Sequence, residues 1–405
     1  KINDYFMHAK LAQAAYGTFS EGEILKLLLT NKDVEMSSSQ ADEFLENWQV
    51  VAHSSDSPTG FSATVFKNKN DHSKYLAIRG TEDLTDILAD GILASAIPPI
   101  FNLQFIALRS QLNTWLNEPN VLQGERFTIT GHSLGGYLAA AAKQIYPQIT
   151  ETYLYHAPGV GGLQGNLIEA INSILGLEIV TTDNIWNLRG SEGFPIIAGL
   201  GYQLGTPVTI QTEASFNNHS IVLLTDALAV YSAYSQLVPD QDIQDISKLI
   251  DAFGSTQDAG GSNVKTLESA LDALRNILLN PDNGKIVLSV NYKTPSDTRD
   301  IFYENMHAEA FQKKLAELAD KVDLTIFSDL STSDILSKVE SNDQQGLATR
   351  FAIVALNPFI LEGETINYDS FNSYGALELF DLESGAGTLT SSYIIDRLTM
   401  LILKN

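Results

Sequence analysis

The strongest constraint on how this 405-residue chain folds is a change of texture at residue 131. The β-rich run Phe127-Thr128-Ile129-Thr130 passes into Gly131-His132-Ser133-Leu134-Gly135-Gly136. A small-residue stretch, Tyr137 to Ile145, follows and stops before Pro147. β-Branched and aromatic residues favour a strand, whereas an alanine-rich run favours a helix. Glycines flanking a serine let strand and helix backbones approach closely, and the sharp turn between them lifts the hydroxyl to the helix N-terminus. Backbone N–H groups there favour developing negative charge. The pattern predicts a nucleophile elbow, with Ser133 as nucleophile. The plainer reading is a Gly-rich turn, and the strand and helix textures on either side weigh against it.

The surrounding pattern agrees. A helix is predicted over residues 4–16, then strands at Trp48–Ala52, Gly60–Phe66 and Lys74–Arg79, with polar turns at His53–Thr59 and Lys67–Ser73. Helices follow near 84–91 and 101–116, then the strand before the elbow and the helix after it. Further strands are predicted at Thr152–His156, Ile185–Arg189 and Pro207–Glu213, and a helix from His219 through Tyr231. Alternating strands and helices imply a mostly parallel sheet covered on both faces.

A serine nucleophile needs a base, and a base needs an orienting acid. In strand–elbow–helix hydrolases the chain order is serine, acid, histidine. His8, His53 and His72 precede the elbow, and His156 comes too early in that order, though it is placed to line a pocket. The side chain of His132 leaves the elbow in another direction and reads as packing, and His307 lies in the C-terminal region. His219 follows the last strand of the series, where the base belongs. Glu192 follows the strand at Ile185–Arg189 and so should share a sheet edge with the elbow. Asp183 precedes that strand and is the alternative acid.

The charge narrows the partners. Lys plus Arg number 25 against 49 Asp plus Glu, a net charge of −24. That excess argues against nucleic acid and against simple docking to an anionic membrane. It leaves calcium open as a ligand, but no EF-hand loop or Gly-Asp repeat offers a site. There are no cysteines, hence no disulfide, thiolate metal site or cysteine nucleophile. No apolar run has the length of a membrane span; Ile92–Phe101 is too short and contains Pro98-Pro99. The absence of an initial Met and the apolar run Leu398–Leu403 suggest a segment of a longer protein with further domains.

The stretch Tyr75-Leu76-Ala77-Ile78-Arg79-Gly80-Thr81, followed by Asp83, Asp86 and Asp90, resembles the oxyanion loop of the class 3 lipases. The Gly-His-Ser-Leu-Gly-Gly elbow is similar to theirs. So are Leu11-Ala12 and Ala15-Tyr16 of the first helix and the hairpin between Trp48 and Phe66. The resemblance covers about residues 1–235 and implies an α/β-hydrolase fold. Glu192-Gly193-Phe194-Pro195 occupies the place of the family's Asp-x-Val-Pro motif, and the tryptophan usual after the oxyanion loop is missing. Carried over, Thr81 and the Leu134 N–H form the oxyanion hole, and the chemistry is acyl transfer without a metal or organic cofactor.

Two apolar segments could shape specificity. Gly91–Phe105, with Ile92, Leu93, Ile97, Ile100 and Phe101, sits where the family carries a lid, and Gly159–Val180 carries apolar residues at helical spacing. Core or wall packing is the bland reading of both. Residues 1–238 are thus expected to form the catalytic domain and 239–405 a mainly helical accessory domain. Leu267, Leu271, Leu274 and Leu278 mark one amphipathic helix there and Phe311, Leu315 and Leu318 another, with a flexible connection at Phe253–Asn263. The expected substrate is a lipid ester of the triacylglycerol or phospholipid type, met at a lipid interface. Other esters or thioesters form the second reading, and an inactive binding module the third. The style of the whole chain is similar to lipase modules of long secreted bacterial proteins, which makes secretion or delivery as an effector the expected localisation, with the cytoplasm as the alternative.

Overall fold

Seven strands pair in chain order. In the computed structural model, β1 (Trp48–Asp56) and β2 (Phe61–Asn68) form an antiparallel hairpin, and β3 (Lys74–Ile78) runs antiparallel to β2. From β3 onward the sheet is parallel through β4 (Phe127–His132), β5 (Ile149–Tyr155), β6 (Ile185–Gly190) and β7 (Thr206–Ile210). The described residues are 1–20, 25–56, 58–80, 99–158, 181–191, 205–213, 220–258, 266–279 and 295–402, with the backbone alone for 99–102, 255–258, 295–298 and 402.

The pleat sorts side chains onto two faces. Phe66 and Ala77 face α1 (Ile2–Ala14) and α3 (Ser38–Asn47), joined by Leu11, Ala14 and Phe44, with α2 (Leu25–Leu29) contributing Leu29. Ala63, Val65, Leu76 and Ile129 face α4 (Pro99–Asn117) and α5 (Leu134–Ile145), which bring Leu108, Leu112 and Leu138. Helix α3 starts at a capping box: Ser37 accepts from the Gln40 N–H while the Gln40 side chain accepts from the Ser37 N–H. A mostly parallel sheet covered on both faces, with a strand–serine–helix turn at the carboxyl end of β4, is the α/β-hydrolase fold.

Sequence and structure part at β1. The polar run from His53 reads as a turn, yet the strand continues to Asp56, pairing His53 with Thr64 and Asp56 with Phe61. β1 is the edge strand, so its polar residues need no apolar environment. At the other end, β7 stops at Ile210, short of the expected Glu213.

Contacts divide the chain into two compact units, Lys1 with Asn3–Leu228, and Ile2 with Ala229–Asn405. The boundary falls inside α6 (Ile221–Leu237). The second unit is mainly helical, with α7 (Ile243–Asp258), α8 (Thr266–Leu279), α9 (Pro295–His307), α10 (Glu309–Leu318), α11 (Thr332–Glu340), α12 (Gln344–Ala355) and α13 (Ser391–Ile402). Leu267, Leu271, Leu274 and Leu278 of α8 are buried, as are Phe311, Leu315 and Leu318 of α10. An antiparallel pair, β8 (Asp323–Ile326) with β9 (Phe359–Glu362), is an addition that the sequence did not announce. The connection expected to be flexible from Phe253 is helical as far as Asp258, because Ile246, Leu249, Ile250 and Phe253 bury one face of α7. Among the described residues, no helix is long and apolar enough to cross a membrane.

Candidate active site

Ser133 follows β4 directly and is the N-cap of α5, at φ 56° and ψ −126°. Such backbone conformations cost an L-residue on the order of 1–3 kcal/mol and persist where the surroundings over-determine them. Here the Ser133 N–H donates to Tyr155 O at 2.8 Å, and Ser133 O accepts from the N–H groups of Gly136 (3.0 Å) and Tyr137 (3.3 Å). The glycines are demanded by close approach. A Cβ on Gly131 would lie 2.3 Å from Gly135 O, one on Gly135 2.2 Å from Ile78 O, and one on Gly136 2.7 Å from Ala157 Cβ. The turn is therefore pinned against β3, β4 and the segment after β5 together.

Ser133 is buried, and its Oγ has no hydrogen-bond partner among the described residues. A buried hydroxyl normally finds one, so the exception asks for a reason. The N–H of Leu134, first residue of α5, also meets no acceptor among them. Gly80 adjoins this point: a Cβ there would lie 3.0 Å from Ser133 Cβ and 2.7 Å from His132 O. A buried hydroxyl, an orphan helix N-terminal donor and a close-packed glycine loop thus meet at one sheet edge.

Of the residues that the sequence nominates, His219, Glu192, Thr81, Ile92, Leu93 and Ile97 lie outside the described residues. Ile100 and Phe101 fall in the first turn of α4, with their side chains outside the description. Phe105, which ends the apolar stretch, is a core residue, while Leu103 and Ile106 on the same helix are exposed. Asp183 is exposed in the turn before β6, and the parallel pairing of β4, β5 and β6 puts that turn at the edge opposite Ser133. Consistently, the Thr181 N–H donates to Gln144 Oε1 at 2.7 Å. Gln144 is near the far end of α5, about 15 Å from its start at 1.5 Å per residue. Glu151 lies early in β5 and accepts from Tyr153 Oη at 3.0 Å. Glu213 lies just past β7, on the elbow's edge, where a shorter strand has left it.

Two histidines that the sequence ranks low adjoin the elbow. His132 is buried, and its Nδ1 is hydrogen-bonded to Tyr16 Oη at 2.6 Å. His156 is buried at φ 47°, its N–H donates to Leu188 O at 2.8 Å, and its Nε2 accepts from the Gly190 N–H at 3.1 Å. An imidazole that accepts an amide N–H at Nε2 carries its proton on Nδ1. The two rings lie 6.1 Å apart. The sequence marks Tyr16 only as part of the resemblance at the first helix and His156 only as a residue placed to line a pocket; their contacts join separate parts of the chain and carry no local signal. His8 stacks on Tyr153 at 3.7 Å, and burial lowers its pKa to about 3. His53 is bonded to Thr64 Oγ1 at 2.9 Å; burial, and then the charge of Arg79, lower its pKa. Among the described residues, no three His, Asp or Glu side chains gather as a metal site would require.

No protein-family model matches the sequence, and no curated protein matches it. Among solved structures the chain is similar to Lip2 lipase from Yarrowia lipolytica, at 19% identity over 52% of this chain and 78% of that one, with a TM-score of 0.33. It is similar to lipase II from Rhizopus niveus at 16% identity, 54% and 82% coverage and a TM-score of 0.36. A third likeness is to the Rhizomucor miehei lipase propeptide complex, at 16% identity, 47% and 60% coverage and a TM-score of 0.31.

Proposed function

We propose that this protein is a serine ester hydrolase acting on lipid esters through Ser133. The observation that carries the reading is the Ser133 turn itself: a positive-φ serine between strand and helix, whose buried hydroxyl and the adjoining Leu134 N–H both meet no partner among the described residues. Six of the seven histidines are described, and none of the six bonds Ser133 Oγ. That supports His219, the seventh, as the base that chain order already selects. The exposed position of Asp183 at the opposite edge likewise favours Glu192 as the acid.

The chemistry follows from these roles. Ser133 Oγ attacks the ester carbonyl carbon while its proton passes to the His219 imidazole. The carbonyl oxygen becomes an oxyanion, stabilised by the Leu134 N–H and by Thr81. Collapse expels the alkoxide, which takes the proton from His219 and leaves as an alcohol. Water, deprotonated by His219, then attacks the acyl-enzyme and releases the acid, restoring Ser133. Glu192 holds the imidazole and stabilises its charged form. None of these steps calls for a metal. A lid role for Ile92, Leu93, Ile97, Ile100 and Phe101 belongs to the same reading.

Ser133→Ala and His219→Ala should each lower kcat by roughly 10⁴-fold or more, with unchanged circular dichroism. Glu192→Gln should cost less than either, and Asp183→Asn almost nothing. Turnover surviving in His219→Ala would mean the base is wrong, and a crippled Asp183→Asn would mean the acid is wrong. A chain-length series of nitrophenyl esters tests the substrate class: preference for long acyl chains supports lipid esters, and preference for short ones transfers the reading to soluble esters.

A further inference from the structure

The hydrogen bond between Tyr16 Oη and His132 Nδ1, at 2.6 Å, spans 116 residues and ties the chain just after α1 to the residue before Ser133. The same hydroxyl presses on the glycine loop. A Cβ on Gly80 would lie 2.6 Å from Tyr16 Oη and 3.0 Å from Ser133 Cβ, so the hydroxyl, Gly80 and the nucleophile are packed as one group. Tyr16 is only half-buried, and its ring lies tilted against that of His132 with centroids 5.8 Å apart. A phenylalanine would supply the same ring, so the hydroxyl is what a core role leaves unexplained. His132 in turn lies beside His156, whose Nε2 holds the Gly190 N–H at the end of β6.

We propose that Tyr16 is a positioning residue for the reaction at Ser133. Its hydroxyl, held by His132 and seated on Gly80, fixes the separation of the Gly80 backbone from the Ser133–Leu134 turn. Transition-state stabilisation is sensitive to that separation, because donors aimed at an oxyanion act only at hydrogen-bond distance. The inference rests on the hydrolase reading of Ser133, and it predicts an effect on turnover that tight substrate binding does not share.

The test uses the full chain and a soluble short-chain nitrophenyl ester. Tyr16→Phe should lower kcat between about tenfold and a hundredfold, the scale on which small misplacements act, while KM stays within about twofold. The rate at which a fluorophosphonate labels Ser133 should fall in parallel. His132→Leu should have the same effect, His132→Asn, which keeps a hydrogen-bonding group near the Nδ1 position, should restore most of the rate, and Tyr16→Phe with His132→Leu should be no worse than either alone. A wild-type kcat in Tyr16→Phe, a loss confined to KM, or additive losses in the double variant would overturn the proposal. Should Tyr16→Phe not fold, the contrast between His132→Asn and His132→Leu decides in its place. The Ser133→Ala variant separates the two levels: if it keeps turnover and labelling, the hydrolase reading fails, whereas if it is dead and Tyr16→Phe is normal, only the role of Tyr16 fails.

Discussion

At Ser133 the backbone holds a conformation that glycine adopts freely and serine does not, and the cost is carried by neighbours with no side chain at all. Gly135 shows how tightly. Its missing Cβ would lie 2.2 Å from Ile78 O and 2.8 Å from Arg79 O, both backbone atoms of the adjoining strand and its exit. Neither can rotate away, so Gly135→Ala must displace α5 from the sheet. Gly385 is the natural control, since its φ of +66° is strained for alanine but nothing lies within 4 Å of the added carbon. Gly385→Ala should lose about 1 kcal/mol, a few degrees of melting temperature, as left-handed strain alone requires. Gly135→Ala should lose at least about 3 kcal/mol or fail to fold, together with activity. Gly135 is helical and carries no left-handed strain of its own, so thermal unfolding followed by circular dichroism compares close approach with strain, and a loss in Gly135→Ala no larger than in Gly385→Ala would mean that the close approach at 135 is relieved by a small shift. The elbow was readable in the sequence because strand, turn and helix chemistry are contiguous there. The contacts of Tyr16 and His156 were not, because partners 116 positions apart for the one and 34 for the other leave no trace in either neighbourhood.

The element that most deserves a separate test is α1, which lies against the strands that bear the elbow. Thr130 Oγ1 of β4 donates to His8 O at 3.4 Å, and Tyr155 Oη of β5 donates to Tyr5 O. His8 Nδ1 meets Asp4 O at 2.7 Å, but its Nε2 is buried with no partner among the described residues. Burial lowers the His8 pKa from 6.5 to about 3, against the opposing hydrogen bond to Asp4 O and with a smaller push from the Lys1 charge. The sign is fixed by the unfolded chain, which takes up a proton near pH 6.5 that the folded protein refuses down to about 3. Stability is therefore undiminished above 6.5 and falls as pH drops through that window, by at most about 1.4 kcal/mol per pH unit from this group. Urea midpoints measured from pH 7 to 4 should fall less steeply in His8→Phe, which keeps a ring on Tyr153, by close to one proton's worth of slope. Identical slopes would show that His8 titrates in place. Periodicity was enough to read most elements of this unit, but it failed for β1 beyond Ala52. An edge strand is held by backbone pairing to β2, and pairing does not require apolar side chains.

For the molecule as a whole, the half built around the sheet was legible and the other half only in outline. Strands of a parallel sheet are rich in β-branched and aromatic residues, a texture visible in β4 and β5, and the long helices α4 and α5 that pack on them carry a pattern long enough to see. The residues after 239 showed their amphipathic helices but hid β8 and β9, four residues each and too short to carry a period. What the sequence does supply for the whole is charge, and that makes a prediction about the surfaces on which the proposed hydrolase works. With 25 cationic and 49 anionic side chains, the net charge of −24 sets a field that opposes approach to any anionic surface. At 0.01 M salt that field reaches about 30 Å, and at 0.15 M about 8 Å. If the substrate is a lipid ester at an interface, doping a neutral ester emulsion with an anionic lipid should slow hydrolysis at low salt, and raising the salt to 0.15 M should restore most of the rate. The undoped emulsion should respond little to salt, because no opposing charge needs screening. Each rate is to be compared with that of a soluble ester under the same conditions, which removes any effect of salt on the chemistry at Ser133. Faster hydrolysis on the doped surface at low salt would mean that a local cationic patch, and not the net charge, governs docking.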